Sequence, residues 1–170
     1  FIEDESDLAK RQNAKKFEAE GAYYDDLEPA QWGIVQLFQY MIGNTDWSVA
    51  GLHNMTLLRD ESAVIHPVPY DFDWSGAVNA RYSFPDASLP ILSVRERLWR
   101  GDCRPVDQLV PTFELFAARR AAMDSAYATI TAMTPAVKER MRKYFDEFWT
   151  LIANPRRAAS EFKRTCGERH

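Results

Sequence analysis

The segment that follows Thr134 carries the pattern that restricts the fold most. Thr134 and Pro135 are an N-cap residue and a proline at the first helical position, a common start of a helix. After them, apolar side chains recur every three to four positions on one face: Val137, Met141, Tyr144, Phe145, Phe148, Leu151 and Ile152. A helix with such a face must pack it against other elements. The pattern therefore predicts a helical region with a shared core.

Two other segments have strong helical spacing. Residues 27–42 begin with a proline in the first turn, end before Gly43, and predict a buried face of Ile34, Val35, Phe38, Met41 and Ile42. Residues 106–130 form another predicted helix, in which Pro111 marks a break or a late start. Helices thus dominate the predicted fold.

Weaker helical signals lie at the two ends of the chain. Residues 4–20 are dense in charge and predict a solvated helix that Asp4 or Ser6 caps and Gly21 ends. A short basic helix is predicted after Asn154 and Pro155.

The centre of the chain has a different character. Residues 55–59 and 64–69 predict two short strands joined by a polar turn at 60–62, and residues 79–90 have no clear period. The predicted fold class is mainly α with a short β-hairpin. We interpret the 170 residues as a single domain with three parts: 1–20, 44–76 and a helical subdomain over 105–168.

Charge and hydropathy exclude two classes of partner. Lys and Arg number 21 against 25 Asp and Glu, a net charge of -4. Nucleic-acid binders usually carry a basic excess, so we expect no nucleic-acid partner. No run of 18 apolar residues is present, so we expect no membrane span.

The chain has two cysteines, Cys103 and Cys166. They lie in no metal-binding motif, and two interpretations stay open. They are idle thiols, or they form one disulfide whose loop closure contributes about 4 kcal/mol. A disulfide indicates an oxidising compartment, so the sequence leaves the compartment open between the cytoplasm and export.

Potential ligands and proton acceptors concentrate on the two loops that flank the predicted hairpin: Asn44, Asp46, His53, Asn54, Asp71 and Asp73. A tight hairpin brings its outer ends together, so we expect these side chains to converge. Asn and Asp oxygens suit Mg²⁺, and a free carboxylate beside them can accept a proton from an attacking hydroxyl.

Purely structural roles are open for the same residues. Asp46 can cap a turn after the helix, and His53 can be a hydrogen-bonding partner that shapes the loop. Asp71 and Asp73 lie two positions apart, so on a strand they share a face and can accept bonds from arginine or backbone groups. Two carboxylates that close repel each other without a cation, which favours a metal at Asp71.

This arrangement resembles the catalytic half of protein-kinase-like folds, in which a catalytic Asp and a metal-binding Asn precede a hairpin and a second metal-binding Asp. Here G-N-T-D at 43–46 with Asn54 is similar to the first loop, and P-Y-D-F-D at 69–73 to the second. Atypical kinases of the HipA toxin type and the CotH spore-coat type have the nearest familiar patterns. The chain also resembles a group of uncharacterised bacterial proteins that contain F-I-E-D-E, Q-Y-M-I-G-N-T-D-W-S and P-V-P-Y-D-F-D-W-S-G.

The resemblance implies a kinase-like C-terminal lobe whose cofactors are Mg²⁺ and ATP. Asp46 would be the catalytic residue, and Asn54, Asp71 and Asp73 would bind metal. Glu3, in the segment that leads out of an N-terminal lobe, would lie near the adenine. The supporting residues would be Asn44 and His53. The chain starts at Phe1 without an initiator Met, so we expect this lobe to precede it as its partner.

The resemblance leaves the acceptor hydroxyl unknown, and three functions stay open. The first is an atypical kinase, inactive as this fragment alone because the Gly-rich loop and nucleotide-binding Lys would belong to the other lobe. The second is a pseudokinase-type binding module, favoured because Asp46 and Asn54 are eight positions apart where kinases have five. If the chain is a kinase, loop 47–53 must bulge, or a different residue must act. The third is a metal-dependent hydrolase with an activated water.

Overall fold

The structure is a computed structural model that describes residues 3–18 and 20–166. The chain divides into two compact units, the first ending at Arg100 and the second beginning at Gly101. The first unit contains α1 (Glu5–Arg11), β1 (Ala14–Lys16), α2 (Pro29–Ile42), β2 (Met55–Asp60) and β3 (Ile65–Pro69). The second contains α3 (Val110–Ala128), α4 (Pro135–Ile152) and α5 (Pro155–Lys163). The described residues therefore form a mixed fold of five α-helices and a small antiparallel sheet.

The sheet has three strands in the order β1-β2-β3. The predicted hairpin is confirmed, since Met55 pairs with Pro69 and Arg59 with Ile65. The prediction of a hairpin alone was wrong, because β1 adds a third antiparallel strand with Lys16 opposite Leu58. Four of the six β2 residues are buried, so β2 is the central strand of the sheet.

The predicted helix over 4–20 was too long. Asp4 caps α1 by accepting from the backbone N–H of Ser6 at 2.9 Å, but the helix ends at Arg11. Asn13 then takes a left-handed backbone conformation with φ 49°, which asparagine tolerates better than most residues. That turn sends the chain back along β2 as a strand.

Helix α2 is confirmed, and Val35, Met41 and Ile42 of its predicted face are buried, but burial extends beyond that face. Trp32, Leu37 and Tyr40 are buried, whereas Ile34 and Phe38 are only half-buried. One side of the helix packs through Trp32 and Val35 in a cluster with these other buried residues: Ala22, Leu27, Trp47, Val49, Met55 and Leu57. This cluster joins α2, the following loop and β2 into one core.

Residues 71–100 contain no helix or strand, which confirms the irregular stretch predicted within them. Three arginines hold this segment through backbone carbonyls, one within the segment and two in the rest of the unit. Arg95 donates to Gly76, Arg97 to Met41 in the last turn of α2, and Arg100 to Thr45. Carbonyls at the end of a helix lack intrahelical partners, so Arg97 satisfies one of them.

The second unit is the predicted helical region, with Pro111 in the first turn of α3 and Thr134 as the N-cap of α4. Rings pack α3 against α5 through Phe113 and Phe162, and against α4 through Phe116 and Phe148. A disulfide joins Cys103 to Cys166, which selects one of the two interpretations of the cysteines.

In the part of the chain that the structure describes, no helix is long and apolar enough to cross a membrane. Two predicted boundaries, the start of the F-I-E-D-E segment at 1–2 and the end of the helical subdomain at 167–168, lie outside the described residues.

Candidate functional site

The first loop of the site leaves the C-terminus of α2 through a fixed turn. Gly43 caps the helix in the left-handed conformation with φ 66°, which glycine adopts at low cost. The next residue, Asn44, is buried, and its side-chain amide donates to Gln39 at 3.0 Å. Its Oδ1 accepts from the backbone N–H of Asp46 at 3.1 Å. Asn44 thus sets the direction in which Asp46 leaves the helix.

Trp47 anchors the same loop in the core. Its indole N–H donates to the Asn44 carbonyl at 3.1 Å, and its ring lies 5.8 Å from that of Trp32. The Arg100 guanidinium lies over Trp47, 5.9 Å from the ring centroid. Burial lowers the pKa of Arg100, while the charges of Tyr24, Asp86 and Asp46 act in the opposite direction. The loop is therefore held by packing at Trp47, the residue that follows Asp46.

The eight-position gap between Asp46 and Asn54 closes through a small bulge. Ser48 and His53 exchange two backbone hydrogen bonds of 2.9 and 3.0 Å, and Leu52 turns the chain with φ 48°. Because of these bonds, residues 49–52 form a small loop that projects between Ser48 and His53. A bulge was one of the two possibilities that the sequence left open, and this one returns His53 and Asn54 to Asp46.

Asp46 receives hydrogen bonds on both carboxylate oxygens. His53 Nε2 lies 2.8 Å from Oδ1, and Asn54 Nδ2 donates to Oδ2 at 2.9 Å. The same Asn54 nitrogen donates to the Asp46 backbone carbonyl at 2.8 Å. The Asp46 side chain is 30% exposed. An oriented carboxylate that solvent reaches is suited to accept a proton from a bound hydroxyl.

The second loop begins where β3 ends and lies against the first. Tyr70 N–H donates to the Asn54 carbonyl at 3.1 Å, directly joining the two loops. Asp71 has φ 52° and lies outside β3, so the shared face that a strand would give Asp71 and Asp73 is not formed. Phe72 holds the loop by an edge-on contact with Phe38, with centroids 5.5 Å apart. The loop turns Asp71 and Asp73 towards each other instead.

The carboxyl groups of Asp71 and Asp73 lie close together on this loop. The hydrogen bond that a protonated Asp71 makes with Asp73, followed by desolvation and the negative charges of Asp73 and Asp46, raises the pKa of Asp71 above its usual value. The influence of Asp46 indicates that all three carboxyl groups lie within electrostatic range. Repulsion of this kind is what a bound cation would relieve.

Tyr82 also belongs to this site, and sequence reasoning missed it. Its hydroxyl donates to Asp73 Oδ2 at 2.9 Å. It lies in the irregular segment after the second loop, where no period or motif signals a contact. A tyrosine nine positions after an Asp does not by itself predict a contact. The contact forms because the chain turns back between the two residues.

Cation binding by this site depends on a mixed donor set. Among the described residues, no group of three or more His, Cys, Asp or Glu side chains is placed to hold a metal ion. Asp71 and Asp73 supply two carboxylates, and the amide oxygen of Asn54 is left over because its nitrogen faces Asp46. Two carboxylates and an amide fit Mg²⁺, which keeps several ligands from water and phosphates.

Glu3 is placed elsewhere. Its carboxylate forms a two-point pair with Arg11 at 2.7 and 3.1 Å, and the hydrogen bond from Arg11 lowers the pKa of Glu3. That pair connects the start of α1 to its own last turn. The structure does not join Glu3 to the loop residues.

A cleft of about 630 Å³ lies beside the two loops, and Leu52, Met55 and Tyr70 in its wall flank Asn54 and Asp71 in sequence. Its apolar wall includes Phe17 and Leu57. On its polar side, Glu5 accepts from the Thr56 hydroxyl at 2.6 Å. Glu5 and Glu18 both pair with Lys16, and they raise the pKa of Lys16. The cleft therefore combines an apolar wall with an acidic rim.

Comparison with protein-family models, with curated proteins and with solved structures found no match for this chain. The geometry of the two loops is therefore the basis on which function is argued.

Proposed function

We propose that this chain is the C-terminal lobe of an atypical, Mg²⁺- and ATP-dependent kinase-like phosphotransferase that acts on an unknown acceptor hydroxyl. One observation carries the proposal. Asp46 is oriented by His53 and Asn54 on one loop, while Asp71 and Asp73 form a repelling pair on the loop bonded to it. A proton acceptor next to an incomplete cation site is the arrangement that phosphoryl transfer to a hydroxyl needs.

Each residue of the site would have a separate role in phosphoryl transfer. Asp46 would orient the acceptor hydroxyl and take its proton as the hydroxyl oxygen attacks the terminal phosphorus of ATP. The bond from that phosphorus to the bridging oxygen would break at the same time, and ADP would leave. Asn54 holds Asp46 in place and, with Asp71 and Asp73, offers oxygens to the cation. When bound, Mg²⁺ neutralises the charge of the nucleotide phosphates. His53 fixes the rotation of the Asp46 carboxylate through Oδ1.

The cleft beside the loops supports a place for the nucleotide. Its acidic rim disfavours phosphate groups, so we propose that the nucleoside part lies against Phe17 and Leu57. The phosphates would then extend past Tyr70 towards Asp71. Glu5, rather than the predicted Glu3, lines this cleft.

A pseudokinase-type binding module is the second candidate. It is favoured by the absence, within residues 3–18 and 20–166, of three convergent His, Cys, Asp or Glu ligands. The eight-position spacing between Asp46 and Asn54 is a weaker argument for it, because the Ser48–His53 bulge brings Asn54 into hydrogen-bonding contact with Asp46. The same ligand count weighs against a metal-dependent hydrolase, which usually needs more ligands.

The disulfide between Cys103 and Cys166 supports an exported location for this activity. Disulfides persist in oxidising compartments and are rare in the cytosol. We propose export as the setting in which the acceptor is met.

Thermal unfolding of the longest native form of the chain tests the proposal. A ligand at one hundred times its Kd adds about 2.7 kcal/mol of stability, so millimolar Mg²⁺ with ATP should raise the Tm. Asp71→Asn should abolish the rise, and asparagine keeps the left-handed backbone that alanine would strain. Asp60→Asn is the matched control, since Asp60 ends β2 at the hairpin turn, away from the loops. No rise in the unmodified protein, or an equal rise in Asp71→Asn, would contradict the proposal.

A further inference from the structure

The irregular segment after the second loop contacts that loop at two consecutive residues. Tyr82 donates to Asp73 Oδ2 at 2.9 Å, and the Phe84 ring lies 4.8 Å from that of Trp74. Yet Tyr82 and Phe84 are 62% and 63% exposed. Side chains so exposed gain little from burial, so burial alone does not account for the Tyr82 contact.

The chemistry of Asp73 gives the Tyr82 contact a specific role. Asp73 lies close to a second carboxyl group, that of Asp71. Tyr82 is a neutral donor to the same carboxylate.

We propose that Tyr82 is a positioning residue for cation binding, which orients Asp73 by holding its Oδ2. This inference rests on the proposed function, because it assumes that the Asp71–Asp73 pair binds a divalent cation. A carboxylate held at one oxygen loses its freedom to rotate and presents the other oxygen in a fixed direction. Hydrogen-bond partners of metal ligands act in this way, and their removal typically weakens metal binding 10- to 100-fold.

Through Tyr82, the exposed segment that contains Val78, Tyr82 and Phe84 can influence the orientation of Asp73. Val78, Tyr82 and Phe84 are apolar or aromatic and exposed, and Tyr82 connects them to Asp73 through one hydrogen bond. Any movement of this segment that breaks the bond would release Asp73. The cation affinity should therefore report the position of the segment.

Binding of Mn²⁺ alone, followed by the loss of the electron paramagnetic resonance signal of free Mn²⁺, tests the inference without activity. We expect Tyr82→Phe, which removes only the hydroxyl, to raise the Kd for Mn²⁺ about 10- to 100-fold. Phe84→Leu is the matched control: it alters the neighbouring ring contact and leaves the hydroxyl. Its Kd should stay within about twofold of the unmodified protein, a difference of about 0.4 kcal/mol. The Tm of both variants, measured without metal, verifies that they fold.

The possible results separate this inference from the proposed function. If the unmodified protein binds Mn²⁺ and Tyr82→Phe binds it equally well, Tyr82 does not position Asp73. Equal weakening by Tyr82→Phe and Phe84→Leu also overturns the inference, since packing and not the hydroxyl is then responsible. If the unmodified protein does not bind Mn²⁺, the cation site of the proposed function fails, and the role of Tyr82 fails with it.

Discussion

The two loops beside the hairpin use the same residue type in opposite ways. On the first loop, the Asp46 carboxylate accepts from His53 and Asn54, one donor for each oxygen. On the second, Asp71 and Asp73 face each other, which raises the pKa of Asp71. One loop is complete by itself, whereas the other contains repulsion that a cation would remove.

This difference indicates which loop can act as a fixed part of the site. Asn54 donates to Asp46 and accepts from Tyr70 N–H, so the ordered loop also supports the second one. A site assembled in this order keeps its proton acceptor oriented before the cation arrives. Such preorganisation avoids rearrangement during the reaction.

The largest effect is expected when Asp46 loses its charge. Asp46→Asn keeps the shape of the side chain but removes the proton acceptor, so phosphotransfer by the longest native form should fall about 10²- to 10⁴-fold. The Tm rise caused by Mg²⁺ with ATP should remain. Steady-state turnover and the Tm, measured on the same samples, separate the two effects.

Asp60→Asn is the control for this experiment, because Asp60 lies at the hairpin turn and pairs with His66. It should leave turnover unchanged. Undiminished turnover in Asp46→Asn would remove Asp46 from the reaction. Absence of turnover in the unmodified protein, with nucleotide binding intact, would support the pseudokinase alternative.

The elements that the sequence predicted correctly are those specified by local pattern. The apolar period and the Thr134 cap define α4, and Pro29 and Gly43 bound α2. The hairpin follows from two short apolar runs around a polar turn. These signals lie within a few residues of the structure they produce, so no knowledge of tertiary packing is needed.

The missed features depend on contacts between distant residues. Strand β1 has three residues and no alternating pattern, and it exists through its pairing with β2. Helix α2 packs through Trp32 and Val35 against the loop and strand that follow it, and its own periodicity does not reveal these partners. Within the site, the Asp46 and Asp71 loops were predicted to meet, but the Tyr82 contact depends on a segment with no regular structure.

A smaller effect is expected from removing the tether between Asn54 and Asp46. Asn54→Ala loses two hydrogen bonds to Asp46, worth about 1 kcal/mol each. It also places alanine at φ 50°, which costs about 1–2 kcal/mol. We expect the free energy of unfolding, measured by urea denaturation, to fall by about 3 kcal/mol.

Asn79→Ala isolates the backbone contribution to that loss. Asn79 has φ 51° and is exposed in the irregular segment, so only the cost of about 1–2 kcal/mol should appear. His53→Gln, which alters an exposed partner of Asp46, should change stability by no more than about 1 kcal/mol. If Asn54→Ala and Asn79→Ala lose equal stability, the tether contributes nothing and the first loop is not the ordered one.

The smallest expected effect is the pH dependence of stability without metal. Its sign should differ between Asp71 and Asp60, because their carboxylates have different surroundings. The pKa of Asp71 is raised above 3.8 in the folded protein, first by its hydrogen bond with Asp73. The folded state therefore binds this proton more tightly than the unfolded state, and stability rises as pH falls from neutral towards 3.8. At neutral pH the charge is a penalty, so Asp71→Asn should be more stable than the unmodified protein, with the difference vanishing below that window.

Asp60 should behave in the opposite way. Hydrogen bonds from His66 and from the backbone of Val64 and Ser62 lower the pKa of Asp60 below 3.8. The stability that its charge contributes is present above 3.8 and is lost as pH falls through the lowered value. Asp60→Asn should thus be less stable at neutral pH and should equal the unmodified protein in acid. Urea denaturation of both variants between neutral and acid pH measures these differences. Equal signs for the two variants would mean that Asp71 and Asp73 do not repel each other, and the contrast between the two loops would then disappear.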